Sequence, residues 1–175
     1  MKHNFLSTVL LLASVILLTL SCQKDVSRQE QRQEEIATAI GTANNPTFNL
    51  EVILRGEDGR LGHIKFRQDV DPSKIIVLDT WVRDLEPNHQ YLLQRAVDAA
   101  NVVDGDCTST SWLTLGKGLT PQSILTDDNG TGSEELWRDV SAVASGSAFD
   151  IHFRIVDATT MAVVLTSDCY QYVVR

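Results

Sequence analysis

Residues 47–175 predict an all-β domain, a sandwich or barrel of about eight to ten short strands, and three observations carry that prediction. Apolar and polar residues alternate over short stretches. Asp58-Gly59 and Asp128-Asn129-Gly130 place turn chemistry between such stretches. No segment past residue 46 sustains a 3.6-residue apolar period, so helices are at most short. A domain of about 130 residues buries roughly two-thirds of its unfolded surface, enough for an independent core.

The strands follow in order. Phe48, Leu50, Val52 and Leu54 alternate with Asn49, Glu51 and Arg55, and Asp58-Gly59 then turns the chain into 62–67. Ile75 to Val82 is a nearly continuous β-branched run around Trp81. It reads as a central strand covered on both faces, with Trp81 in the core. Tyr91 to Val97 and Trp112 to Leu115 come next. After the Asn-Gly turn come Glu134 to Val140, Phe149 to Val156, Met161 to Thr166 and Tyr170 to Val174. Phe149, Ile151, Phe153 and Ile155 alternate with Asp150, His152 and Arg154, as a half-buried strand requires.

The first residues are of another kind. Lys2 gives a positive start, Phe5 to Leu20 form an apolar run, and Thr19-Leu20-Ser21-Cys22 closes it with a small residue before a cysteine. This resembles the signal peptide and lipobox of bacterial lipoproteins, and the run is shorter than the roughly 18 residues expected of a span. The resemblance implies that residues 1–21 are removed and that Cys22 carries a diacylglycerol and an acylated amino group. It also implies a lipid anchor in the outer membrane, on the periplasmic or cell-surface face, since Gln23 replaces the aspartate that retains inner-membrane lipoproteins. Gln23-Lys24-Asp25 is similar to short surface-export tags. Residues 22–46 are rich in Gln, Glu and Arg and lack aromatics, so they read as a flexible tether. Its reach as a coil is roughly 25–30 Å.

Removing residues 1–21 takes away one charged side chain, Lys2, and leaves 14 basic and 23 acidic residues, a net charge of −9. The basic residues are scattered, which argues against a nucleic-acid partner. With Cys22 assigned to lipid, Cys107 and Cys169 remain as an even pair in an oxidising compartment, where a disulfide is expected. A reactive or metal-bound dithiol is the alternative, although no CxxC spacing or neighbouring histidine accompanies either cysteine.

Leu85-Glu86-Pro87-Asn88-His89-Gln90-Tyr91 resembles the tyrosine corner of fibronectin type III and related Greek-key sandwiches. That likeness gives Leu85, Pro87 and Tyr91 a structural role. A looser likeness over 47–175 points to the Cu/Zn superoxide dismutase-like sandwich: Arg83-Asp84-Leu85, the Gly105-Asp106-Cys107 loop, the Thr126 to Gly130 turn and the late Cys169 fall in similar order. It implies a single Greek-key β-sandwich and the Cys107–Cys169 bond. The enzyme family's histidine cluster is missing, because Tyr91 to Asp98 contains none and His63, His89 and His152 cannot supply the ligand set.

Other chemistry is sparse. Asp127 and Asn129 are weak calcium candidates, but Arg138 stands where an EF-hand loop needs glutamate, and an Asn-Gly type I′ turn explains the same letters. The three histidines read as solvated surface residues. Adjacent acids such as Glu134-Glu135 point to opposite faces of a strand and share no substrate. No nucleophile elbow or Walker loop occurs. Trp112 and Trp137 are candidate contacts for glycan or protein if exposed. The expectation is a non-enzymatic, cofactor-free envelope lipoprotein with a binding or structural role; a carbohydrate-binding module and a calcium-dependent module are the alternatives.

Overall fold

Every regular element but one is a strand in the computed structural model, which describes residues 47–175; the signal-like segment, Cys22 and the tether expected over 1–46 lie outside the described residues. The strands are β1 (Thr47–Arg55), β2 (Leu61–Asp69), β3 (Ile75–Arg83), β4 (Gln90–Val97), β5 (Leu113–Thr114), β6 (Gly116–Lys117), β7 (Thr120–Pro121) and β8 (Ser123–Leu125). They continue with β9 (Gly132–Asp139), β10 (Ala148–Asp157), β11 (Val163–Ser167) and β12 (Tyr170–Val173). The domain is all-β, as the alternation predicts.

The strands close on themselves. One sheet is β1-β2-β3-β9, and the other is built on β4 and β10, with β8 beside β4 and both β11 and β12 along the far edge of β10. Leu54 and Arg55 of β1 pair with Ser167 and Thr166 of β11, and a bridge between Thr126 and Gly132 joins β8 to β9. The chain runs through β1–β3 as a meander and crosses to β4. It returns by β8 to β9 beside β3, then crosses again to β10 beside β4. This is a Greek-key path around a flattened barrel.

Local chemistry explains the turns. In the β1–β2 hairpin Asp58 (φ 56°) and Gly59 (φ 78°) both hold positive φ, as the tight Asp-Gly turn requires. The turn at Asp127–Gly130 differs from expectation. Gly130 has positive φ and Asn129 does not, so the type I′ form is absent; Asp127 N–H instead bonds Thr131 O at 2.8 Å. A side chain at Gly130 would put Cβ 2.1 Å from the Leu85 carbonyl, which is why the position takes glycine.

The core lies between the sheets and includes Val52, Leu54, Ile64, Phe66, Leu78, Leu93, Leu136, Phe153, Ile155 and Leu165. Strand β3 departs from the sequence reading. It alternates, with Ile76, Leu78, Thr80 and Val82 turned inward and Val77, Asp79 and Trp81 outward, so Trp81 is 43% exposed and not in the core. Of the strand expected over 112–115 only Leu113–Thr114 (β5) forms, and β6, β7 and β8 follow as further short strands.

The Cys107–Cys169 disulfide ties the loop between β4 and β5 to the turn before β12. The same loop is held by carboxylates. Asp98 accepts from the N–H groups of Thr108 and Ser109, and the fully buried Asp150 accepts from those of Asp104 and Gly105. The bond spans 62 positions, so its removal in Cys107→Ala/Cys169→Ala is expected to lower stability by about 4 kcal/mol. Urea unfolding against the parent chain reads this directly, and a loss below about 1 kcal/mol would show that the carboxylates hold the loop unaided.

Candidate functional site

The outer face of β1-β2-β3-β9 carries an arrangement that the alternation dictates. Odd-numbered residues of β3 and β9 point outward, which puts Trp81 and Trp137 on one face, 43% and 37% exposed. Trp81 pairs in register with Ser133, and Trp137 with Val77, so the two indoles stand four positions apart along the strands. At about 3.3 Å per residue this is roughly 13 Å.

Each indole is braced from one side. Trp81 stacks beside His63 of β2, ring centroids 5.6 Å apart, and His63 is hydrogen-bonded to the Glu51 carboxylate. Trp137 rests over Gly118 in the β6–β7 hairpin, where an added Cβ would meet the indole at 2.7 Å. Trp81 lines a shallow groove of 270 Å³ together with Asp79, Ser133 and Glu135, and Trp137 stands two positions beyond Glu135 on the same face. Arg67 pairs with Asp79 at 2.6 Å. The face therefore combines two aromatic platforms with carboxylates and a hydroxyl.

Trp112 lies elsewhere. It is half-buried, with the Arg154 guanidinium 4.0 Å over its ring and the His152 imidazole 4.6 Å away, which leaves less open ring than at Trp137. The tyrosine-corner residues sit at the crossover between β3 and β4. Leu85 is buried, Pro87 is exposed, and the Tyr91 hydroxyl accepts from the Glu86 N–H at 3.0 Å. Burial pushes the Tyr91 hydroxyl above its ordinary pKa.

The histidines are held, contrary to the expectation of freely solvated rings. His63 bonds Glu51, His152 donates to the Ser109 carbonyl at 3.0 Å, and His89 donates to Asp157 at 2.6 Å. Asp127 turns its carboxylate back on its own loop: Oδ1 accepts from the N–H groups of Asn129 and Thr131, and the second of these leads in holding its pKa below the usual range. Among the described residues no group of three or more His, Cys, Asp or Glu is placed to hold a metal ion.

No protein-family model matches the chain, and no curated protein matches it. The class that the geometry itself defines is a disulfide-closed, all-β sandwich.

Sequence reasoning offered Trp137 as a contact only if exposed, and it is 37% exposed with its ring against Gly118; Trp81 was assigned to the core and is outside it. The signal was present, since Trp81 is in phase with Asp79 and Arg83, and a fully buried face would not carry both.

Asp157 yields a pH prediction. The Thr160 N–H is the largest cause lowering its pKa to about 2, with the Thr159 N–H and His89 adding to it. A carboxylate depressed in the folded state contributes stability above its unfolded pKa of about 4, and that contribution is lost as pH falls toward 2. Between pH 4 and 2 the parent chain should lose more stability than Asp157→Asn. Parallel acid titrations monitored by circular dichroism would refute this expectation if the two curves fell in step.

Proposed function

We propose that this chain is a lipid-anchored, non-enzymatic binding module of a bacterial cell envelope, and that its outer β3–β9 face holds a neutral, extended glycan. The observation that carries the glycan reading is the pair of outward indoles, Trp81 and Trp137, on one face with a polar groove beside Trp81. Pyranose rings present C–H faces that pack on indole, while their hydroxyls need acceptors and donors at the rim. Asp79, Ser133 and Glu135 supply these. A separation of about 13 Å suits an oligosaccharide that reaches both rings, since a single sugar covers only one. The carboxylates disfavour an anionic polysaccharide.

The anchor reading rests on Phe5 to Leu20 followed by Thr19-Leu20-Ser21-Cys22, and on the even pair of cysteines left once Cys22 is acylated. Envelope placement also fits the disulfide, which persists in oxidising compartments.

Retention on neutral polysaccharides such as cellulose, chitin and mannan tests the glycan reading. Trp81→Ala and Trp137→Ala should each weaken binding roughly tenfold, the loss expected of an aromatic anchor, without changing the unfolding midpoint much. Equal retention by parent and variants, or no retention by the parent, would sink it. The anchor has its own test: Cys22→Ser should abolish acylation by mass and release the protein from membranes. A Cys22→Ser protein that stays membrane-bound would remove the lipid anchor from the reading.

A further inference from the structure

The inner faces of the two sheets hold an arginine each where alternation calls for apolar residues. On β4, Arg95 stands between Leu93 and Val97; on β9, Arg138 follows Leu136 and precedes Val140, the residue just past the strand's end. Leu93 and Leu136 are fully buried in the core, so both guanidinium groups enter the space between the sheets. There they line a cavity of 160 Å³. Its floor is apolar and buried, at Phe66, Leu78 and Phe153, and its rim is half-exposed, at Val97, Val140 and Val143.

The electrostatics are unbalanced. None of the fourteen lining residues is acidic, in a chain whose net charge is −8. Arg138 donates one bond, to the Gly118 carbonyl, which leaves most of its donors unused. Arg95 has no hydrogen bond or ion pair among the described residues. Burial, and next the charge of Arg138, pull its pKa below the ordinary arginine range. Two like charges lining an apolar pocket with no counter-ion are unfavourable, and an arriving anion relieves the repulsion.

We propose that this cavity binds a small organic monocarboxylate whose apolar body is about the size of one aromatic ring. A cavity of about 150 Å³ lined by aliphatic and aromatic side chains admits benzene, so 160 Å³ sets the size of the body. The forked guanidinium groups of Arg95 and Arg138 match a carboxylate's two oxygens. The Tyr172 hydroxyl, the other polar side-chain group in the lining, is committed to Gln68 at 2.6 Å, so the two guanidinium groups are the donors offered to the carboxylate. The site is separate from the glycan face: Trp137 and Arg138 are neighbours in sequence, and they point to opposite sides of β9.

Thermal unfolding and isothermal titration of the full chain with benzoate, phenylacetate, acetate and benzamide test the proposal. At a hundredfold excess over its Kd, benzoate or phenylacetate is expected to raise the midpoint by about 5–10 °C. Acetate lacks the apolar body and benzamide lacks the charge, and neither should do so. Arg138→Gln should weaken benzoate at least tenfold. Arg95→Met should abolish the shift while raising the midpoint of the ligand-free chain, because it removes a charge with no partner. That opposite pair of effects is not expected of an arginine kept for stability. Equal shifts with benzoate and benzamide, no shift with either aromatic acid, or undiminished affinity in Arg138→Gln would each overturn the proposal. The comparison of benzoate with benzamide needs no substitution and decides it even where Arg95→Met does not fold.

Discussion

The relation between the two sheets depends on one buried hydroxyl. Thr126, 1% exposed, lies where the chain passes from β8 toward β9, beside the earlier crossover from β3 to β4. Its Oγ1 donates to the Glu86 carbonyl at 2.6 Å and accepts from the His89 N–H at 3.0 Å, while its own N–H bonds the His89 carbonyl. Leu85 N–H bonds Gly130 O, Asn88 N–H bonds Asp127 O, and the Tyr91 hydroxyl takes the Glu86 N–H. Two crossovers distant in sequence thus satisfy each other's backbone groups. A buried network of this kind is costly to leave half-made, so it specifies one mutual placement of the sheets.

The two sides of the barrel wall are then free to differ. Strand β9 shows how little sequence this takes. Glu135 and Trp137 face outward into the groove region, and Leu136 and Arg138 face inward to the core and cavity. A period of two lets one strand serve two surfaces without compromise between them. Gly118 couples the surfaces locally, since Trp137 rests on it from outside and the Arg138 guanidinium bonds its carbonyl.

Much of this was legible in the sequence, for reasons that also set the limits. Alternation in β1, β2 and β10 is unambiguous because one phase is apolar and the other polar, and Asp58-Gly59 forces a tight turn whatever surrounds it. Alternation says which residues share a face but not which face is buried. In β3 the outward phase carries Ile75, Val77 and Trp81, so an exposed face looked like a second core. Strands of two or three residues, such as β6, β7 and β8, are set by tertiary pairing and leave no pattern of their own. The inward arginines were readable in phase, as Leu93-Gln94-Arg95-Ala96-Val97 and Leu136-Trp137-Arg138-Asp139-Val140. Their setting is not readable there, because a sequence does not reveal that a pocket has no acid in it.

The closure of the barrel also governs when this chain can fold. The seam between β1 and β11 joins Leu54 to Ser167 and Arg55 to Thr166, and alongside it Arg55 reaches Asp168, 113 positions further on. Pairings this distant are slow to form, and a barrel cannot close before its last staves exist. A polypeptide emerging residue by residue therefore leaves β1 without its completing partner until Val163–Ser167 has been made, more than a hundred positions later.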